Sequence, residues 1–94
     1  MSSDQARAEI ILTGLVQGVG FRFFIHRNAQ QLGLKGYVKN MYDGSVLTLV
    51  EGEKGIINEL FKKLKIGPRS ASVSNARIEW GDFKNEFSTF EIEY

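Results

Sequence analysis

The spacing of apolar residues changes repeatedly along the chain, and this changing period limits the possible folds more than any other feature of the sequence. Between Arg7 and Leu15 alternate residues are apolar, a period of two that predicts a β-strand. From Phe21 the apolar residues recur at the three- and four-residue spacing of an amphipathic helix, which Gly33 is placed to end. A strand, a loop over residues 16–20 and a helix are therefore predicted to open the chain.

The middle of the chain predicts a hairpin followed by a second helix. Residues 36–41 and 45–50 are both β-prone, and Asp43-Gly44 between them supplies a residue that tolerates positive φ in a tight turn. Residues 56–64 then carry apolar side chains at helical spacing, and Gly67-Pro68 is placed to stop this helix.

Two further strands complete the pattern. Residues 71–80 alternate again, with a slip in phase near Ser74 and Asn75 that predicts a β-bulge, and residues 90–94 predict a short last strand. The order β-α-β-β-α-β with a terminal strand is that of the ferredoxin-like α+β sandwich. In that fold two helices cover one face of an antiparallel sheet.

The composition of the chain excludes several classes of protein and of functional site. The chain has 94 residues, which fits one domain, 1–94, and residues 1–6 are predicted to form a flexible tail. The absence of cysteine excludes thiolate metal sites and disulfide scaffolds, and a single histidine excludes a multi-histidine metal cage. A net charge of +1 argues against nucleic-acid binding. No apolar stretch is long enough for a membrane span, so a cytoplasmic protein without a membrane partner is predicted.

The loop between the first strand and the first helix carries the strongest indication of chemistry. Arg22 falls in the first turn of the helix, where a cation opposes the helix dipole at a cost of roughly 0.3 to 1 kcal/mol. A bound anion would reverse that sign, and the free N–H groups of a helix start suit phosphate oxygens. Spacing alone leaves a second interpretation equally open, in which Arg22 is simply solvated.

Two motifs in the chain resemble the signature of the acylphosphatase family. The first runs from Gly14 to Arg22 as GLVQGVGFR, and the second runs from Gly36 to Asn40 as GYVKN and is followed by Asp43-Gly44. The two motifs stand at the separation usual in the family, and the resemblance extends over almost the whole chain.

The resemblance implies an enzyme that hydrolyses the carboxyl-phosphate bond of acyl phosphates to a carboxylate and inorganic phosphate, without metal, cofactor or covalent intermediate. By position, Arg22 would hold the phosphoryl oxygens and Asn40 would orient the attacking water. The phosphate-binding residues that it implies are Gln17, Gly18, Val19, Gly20, Phe21 and Arg22. Because a carboxylate is a good leaving group, positioning and charge stabilisation are the main requirements. A monomer acting on a small molecule is expected.

Two other functions fit parts of the sequence. RNA-recognition domains share the architecture, and residues 18–24 faintly resemble their aromatic signature, but that signature belongs on a central strand and here it opens a helix. The chain could also be a domain that binds phosphate or carbamoyl phosphate, like the N-terminal domain of hydrogenase-maturation carbamoyltransferases, which also resembles an acylphosphatase. On its own, Asn40 is more typical of a turn. His26 lies on the polar side of the first predicted helix and is left outside the site.

Overall fold

The computed structural model describes residues 4–94, which form five strands and two helices. The strands are β1 (Gln5–Leu15), β2 (Lys35–Asn40), β3 (Val46–Glu53), β4 (Ser72–Gly81) and β5 (Phe90–Glu93), and the helices are α1 (Phe21–Gln31) and α2 (Lys54–Ile66). The predicted order of elements is therefore confirmed. Neither helix has the length and apolar character that a membrane span requires.

The first strand begins earlier than its apolar pattern indicates. Gln5 and Ala6, expected in a flexible tail over residues 1–6, pair with the end of β3 and belong to the sheet. Their polar and small side chains give no periodic signal, but their backbone groups still satisfy each other across the ladder. The Asp4 carbonyl accepts a hydrogen bond from the Lys54 amide at 2.9 Å, and residues 1–3 of the expected tail lie outside the described residues.

The five strands form one sheet in the order β4-β1-β3-β2-β5. Strands β1 to β4 pair antiparallel, as predicted, whereas β5 pairs parallel to β2, so the sheet is mixed at one edge. The direction of β5 follows from the topology. Strand β4 runs opposite to β1 and hence opposite to β2, and the chain reverses after β4 before it forms β5.

Both helices pack on the same face of the sheet and form one hydrophobic core with it. Every second residue of the strands and one apolar stripe of each helix form the core, in agreement with the predicted periods. The fully buried members of these stripes are Ala8, Ile10, Leu12, Val38, Val46 and Val50 from the strands, and Phe21, Ile25, Ala29, Ile57, Leu60 and Leu64 from the helices.

Residues 82–89 form a strap that carries the chain from β4 at one edge of the sheet to β5 at the other. The strap is fastened to Glu51 of β3, a carboxylate that is only 3% exposed. Glu51 accepts hydrogen bonds from the amides of Lys84 at 2.7 Å and Glu86 at 3.0 Å, and from Arg7 Nη1 at 3.1 Å. Burial raises the pKa of Glu51, but these donors together outweigh burial and hold it below its ordinary value.

The predicted irregularity in β4 lies where β1 leaves the sheet. The register of β1 and β4 shifts between Thr13 and Gly14, so that Ser74 has no partner on β1, and the predicted bulge is confirmed. A Cβ atom on Gly14 would stand 2.3 Å from the Ser72 carbonyl oxygen, and its φ is +119°. Only glycine fits this close approach, which turns the chain out of β1 into the loop.

Candidate active site

Strands β1 and β2 end on the same side of the sheet, where the loops that follow them lie. We call this side, which is formed by the ends of strands, the loop edge. Both strands pair antiparallel with β3 between them, so they run in the same direction and end on the same side. Gln17 fastens the two ends together, because its Nε2 donates to the carbonyl oxygens of Met41 at 2.8 Å and Ser45 at 2.9 Å. The first loop is thus tied to the β2–β3 turn, and Asn40 lies beside it.

The turn that receives the loop is itself rigid. The Asp43 carboxylate accepts hydrogen bonds from the Ser45 amide at 2.9 Å and from Ser45 Oγ at 2.6 Å. These bonds lower the pKa of Asp43, the bond from the Ser45 hydroxyl contributing most. Gly44 completes the tight turn with φ +93°, as the Asp43-Gly44 pair predicts. The carbonyls that Gln17 contacts are therefore held in fixed positions.

The loop exposes a row of unused backbone donors. Among the described residues, no group accepts a hydrogen bond from any amide between residues 17 and 23. Gly18 and Gly20 have φ of +73° and +75°, and a Cβ atom on either would meet nothing within 4 Å, so the space at these glycines is open. Behind the loop, Ser70 Oγ donates to the Val19 carbonyl at 2.7 Å. A row of free amides at a helix start suits an anion, and we call these amides the anion cradle.

Arg22 stands in the first turn of α1 with its charge unpaired. Its Nη1 donates to the Glu93 carbonyl at 3.1 Å, and its guanidinium carbon lies 4.8 Å from the centre of the Tyr94 ring. Throughout residues 4–94 no carboxylate comes within ion-pair distance of Arg22, and the first turn of α1 contains no acidic residue. The positive end of the helix and this guanidinium thus act together on the same space.

A cavity of about 80 Å³ lies between the cradle and the end of β2. Its walls are Val16, Gly18, Gly20, Phe21, Arg22, Phe23 and Asn40. Asn40 Oδ1 is buried and has no hydrogen-bond partner in the described part of the chain. Since buried polar atoms are almost always satisfied, a water or a ligand must supply the missing donor. The cavity therefore combines an anion cradle with an amide that requires a polar companion.

A second cavity, of about 480 Å³, adjoins the first at Asn40, which lines both. Its lining residues are Gln17, Lys39, Asn40, Met41, Tyr42 and Tyr94. We call the smaller cavity the phosphate cavity and the larger one the outer cavity. A further cavity of about 370 Å³ lies on the side opposite to the loop edge, where β2 begins and β3 ends. No residue of either motif lines it.

The structure brings most of the sequence-predicted site residues together. Gly18, Gly20, Phe21, Arg22 and Asn40 surround the phosphate cavity. Gln17 lines the outer cavity and braces the loop through its side chain, whereas Val19 lines neither cavity and holds the loop through its carbonyl. His26 packs against Phe90 and is no part of the site.

Some residues that reach the site come from distant parts of the chain and were not predicted from the sequence. Glu93 and Tyr94 contact Arg22 across a separation of about 70 residues, and Ser70 reaches the loop across 51. No local pattern in the sequence marks such contacts. Phe23 could have been recognised, because its place in the first turn of α1, outside the apolar stripe, leaves it exposed beside the loop.

The RNA-binding interpretation finds no support in the geometry. Phe21, in the segment that faintly resembles an RNA-binding signature, is buried and packs edge-on against Phe24 at 5.8 Å between ring centres, so it offers no face to a base. Within residues 4–94, no three His, Cys, Asp or Glu side chains are grouped as a metal site would need.

Comparison with known proteins agrees with this description. A family model described as Acylphosphatase matches residues 8–92. An acylphosphatase from Caldivirga maquilingensis is 45% identical over 89 residues, which cover 94% of each chain. The crystal structure of acylphosphatase from Bacillus subtilis superposes with a TM-score of 0.91 at 32% identity and covers 95% of this chain and 99% of that one. The crystal structure of full-length HypF in its phosphate- and nucleotide-bound form superposes with a TM-score of 0.87 at 27% identity. The match covers 100% of this chain and 12% of that one. The resemblance found in the two motifs is confirmed, and the chain belongs to the acylphosphatase family.

Proposed function

We propose that this chain is an acylphosphatase, which hydrolyses acyl phosphates to a carboxylate and inorganic phosphate in the phosphate cavity. Arg22 and the amides of residues 17–21 hold the phosphoryl oxygens, and Asn40 orients the attacking water. One observation carries the proposal: the guanidinium of Arg22 has no carboxylate partner among the described residues and stands beside a row of amides without acceptors. An isolated cation at a helix start is unfavourable until an anion binds there.

The proposed reaction is a direct in-line displacement. The oxygen of the water attacks phosphorus while the bond from phosphorus to the acyl oxygen breaks, and the carboxylate leaves with the electron pair. The proton of the water passes to a phosphate oxygen, so no protein base is needed for this activated substrate. Asn40 suits the water because a carboxamide both donates and accepts hydrogen bonds, and its buried Oδ1 lacks a donor within the described residues.

Charge stabilisation is assigned to protein groups alone. Negative charge is spread over the phosphoryl oxygens in the transition state, where an arginine fork and preorganised amides contribute most. Because Gln17 and Ser70 fix the loop from two sides, the amides are oriented before substrate arrives. The proposal therefore includes neither a metal nor a cofactor.

The test compares Arg22→Ala and Asn40→Ala with the unaltered chain, following phosphate release from acetyl phosphate and measuring phosphate binding by calorimetry. Charge-assisted hydrogen bonds contribute roughly 1.5 to 3 kcal/mol each, so Arg22→Ala is expected to lower kcat/KM by about a hundredfold or more and to abolish phosphate binding. Asn40→Ala is expected to lower kcat by about a hundredfold while phosphate still binds. Arg27→Ala, an exposed arginine on the same helix, is the matched control and retains both properties.

Other outcomes separate the parts of the proposal. Near-native kcat in Asn40→Ala would remove this residue from the reaction, and equal phosphate affinity in Arg22→Ala would remove the guanidinium from the cradle. Phosphate binding without hydrolysis of any acyl phosphate would instead favour a binding domain for carbamoyl phosphate or a similar compound.

We also propose a monomer that acts in the cytoplasm. Gel filtration with light scattering checks the first property, and cell fractionation checks the second.

A further inference from the structure

The side chains of Lys39, Met41 and Tyr42 line the outer cavity without a role in the proposed reaction, and this cavity adjoins the phosphate cavity at Asn40. Because Asn40 lines both cavities, a substrate whose phosphorus is held by Arg22 and the loop amides must direct its acyl group toward the outer cavity or into solvent. The outer cavity, at about 480 Å³, is several times larger than the phosphate cavity at about 80 Å³. It is large enough for more than an acetyl group.

The loop edge is unusually rich in exposed apolar side chains. Among the described residues, the exposed large apolar side chains at this edge are Leu15, Phe23, Tyr42, Ile66 and Tyr94, and those elsewhere are Trp80 and Phe83. Tyr42 is 112% exposed and Tyr94 is 90% exposed, so neither ring stabilises the core. Tyr42 and Tyr94 line the outer cavity and Phe23 lines the phosphate cavity, and exposed apolar groups that border a cavity are typical of a ligand surface.

The walls of the outer cavity are mainly uncharged. Lys39 is the one charged side chain that lines it, and its Nζ lies 6.0 Å from the centre of the Tyr37 ring, on the face of the sheet that the strap crosses. Glu93 is the cross-strand partner of Lys39 in the parallel pair of β2 and β5. This register places a residue that carries a carboxylate beside Lys39 on the neighbouring strand, although the ammonium of Lys39 forms no ion pair within residues 4–94, and the remaining lining side chains are uncharged.

We infer that the outer cavity binds the acyl group of the substrate and prefers acyl groups with an apolar body of several carbons to acetyl or carbamoyl. This inference rests on the proposed function. Tyr42 and Met41 determine this specificity. Tyr42 supplies a flat amphipathic surface, and the half-buried Met41 side chain adapts to acyl groups of different shape. Tyr94 contributes to the same wall but also supports Arg22, so its replacement would not separate the two effects.

The test measures binding and turnover separately. Calorimetry compares methylphosphonate with butylphosphonate, which differ by three methylene groups, in the unaltered chain, in Tyr42→Ala and in Met41→Ala. A fully buried methylene strengthens binding about fourfold, so three that are about half buried are expected to give about eightfold tighter binding of butylphosphonate. The preference is expected to fall to about twofold or less in Tyr42→Ala, with methylphosphonate binding unchanged. Because Tyr42 is fully exposed, this substitution leaves folding intact.

The control is Trp80→Ala, which removes an exposed aromatic ring from β4, and it is expected to keep the full preference. Equal affinity for the two phosphonates in the unaltered chain, or an unchanged preference in both Tyr42→Ala and Met41→Ala, would overturn the inference. Tighter binding of 3-phosphonopropionate that is lost in Lys39→Ala would overturn it in favour of an anionic acyl group.

Turnover of acetyl phosphate and pentanoyl phosphate, measured in parallel, distinguishes this inference from the proposed function. Hydrolysis of both compounds without any preference between the phosphonates refutes the role of the outer cavity alone. A preference for butylphosphonate without hydrolysis of either acyl phosphate refutes the enzymatic activity alone.

Discussion

Glu51→Ala tests whether the strap over residues 82–89 depends on one buried carboxylate. The substitution leaves the amides of Lys84 and Glu86 without their acceptor, whereas Arg7 keeps its 2.6 Å bond to the Glu86 carboxylate. A hydrogen bond to a charged group contributes about 1.5 to 3 kcal/mol, and water replaces part of both amide bonds because Lys84 and Glu86 are exposed, so the free energy of unfolding is expected to fall by about 2 to 4 kcal/mol. A chain of this length has a total of roughly 5 to 14 kcal/mol, so the loss is a substantial fraction.

The effect has a defined dependence on pH. The pKa of Glu51 in the folded chain lies below its ordinary value, so the unfolded chain takes up a proton first as the pH falls. The contribution of the carboxylate is therefore complete above the ordinary value of 4.5 and is lost as the pH falls through the folded-state pKa. The difference between the unaltered chain and Glu51→Ala is expected to be constant from pH 8 to about pH 6 and to shrink toward pH 3.

Urea denaturation at pH 7 and pH 3 measures both quantities, because titration of the other carboxylates cancels in the difference between the two proteins. Glu79→Ala is the control, since its exposed carboxylate only approaches Arg77 at 3.6 Å and contributes little. A loss in Glu51→Ala no larger than that in Glu79→Ala would refute the assigned role of Glu51. A difference that is the same at both pH values would show that packing, not the ionised carboxylate, fastens the strap.

Three further predictions concern the site. Excess EDTA is expected to leave the rate of phosphate release unchanged, because Arg22 and the loop amides supply the positive charge; recovery of a lost rate by Mg²⁺ would contradict this assignment. Gly20→Ala, where φ is +75°, is expected to cost about 1 kcal/mol in urea denaturation and to weaken phosphate binding in calorimetry, and native affinity would contradict a cradle made by this turn. Gln17→Ala removes both hydrogen bonds to the β2–β3 turn and is expected to lower kcat/KM by about tenfold with little change in far-UV circular dichroism, whereas an unaffected rate would show that the loop holds its shape without them.

The fold was predictable from sequence wherever one period of apolar residues spans a whole element. Helix α1 ends at Gln31 and is followed by Gly33 with φ +72°, as the pattern indicates, and the slip in β4 corresponds to the extra residue Ser74. The parallel pairing of β5 was not predictable, because four residues carry too little pattern to specify a neighbour. Its direction depends on the strap, which Glu51 holds through contacts 33 and 35 residues away in sequence.

The candidate site was predictable in part for the same reason. Arg22 and the glycine-rich turn form one local motif, so their proximity follows from the chain itself. That Asn40 lies beside them depends on the placement of β3 between β1 and β2, which the order of elements predicts only through the fold. The contact of Arg22 with the Glu93 carbonyl joins residues that are 71 apart in sequence. Because every residue has a backbone carbonyl, the residue type at position 93 does not indicate this contact.

That last contact has a consequence for the order in which the molecule becomes competent during synthesis. A ribosome adds about 5 to 20 residues per second, so Arg22 emerges roughly 4 to 14 seconds before the segment that orients its guanidinium. The nascent chain can form β1, α1 and the β2–β3 hairpin in that interval, with the cradle open and the cation free to move. Pairing at the parallel edge is a non-local step and closes slowly. The guanidinium of Arg22 therefore has no Glu93 carbonyl to donate to until β5 is synthesised and pairs with β2.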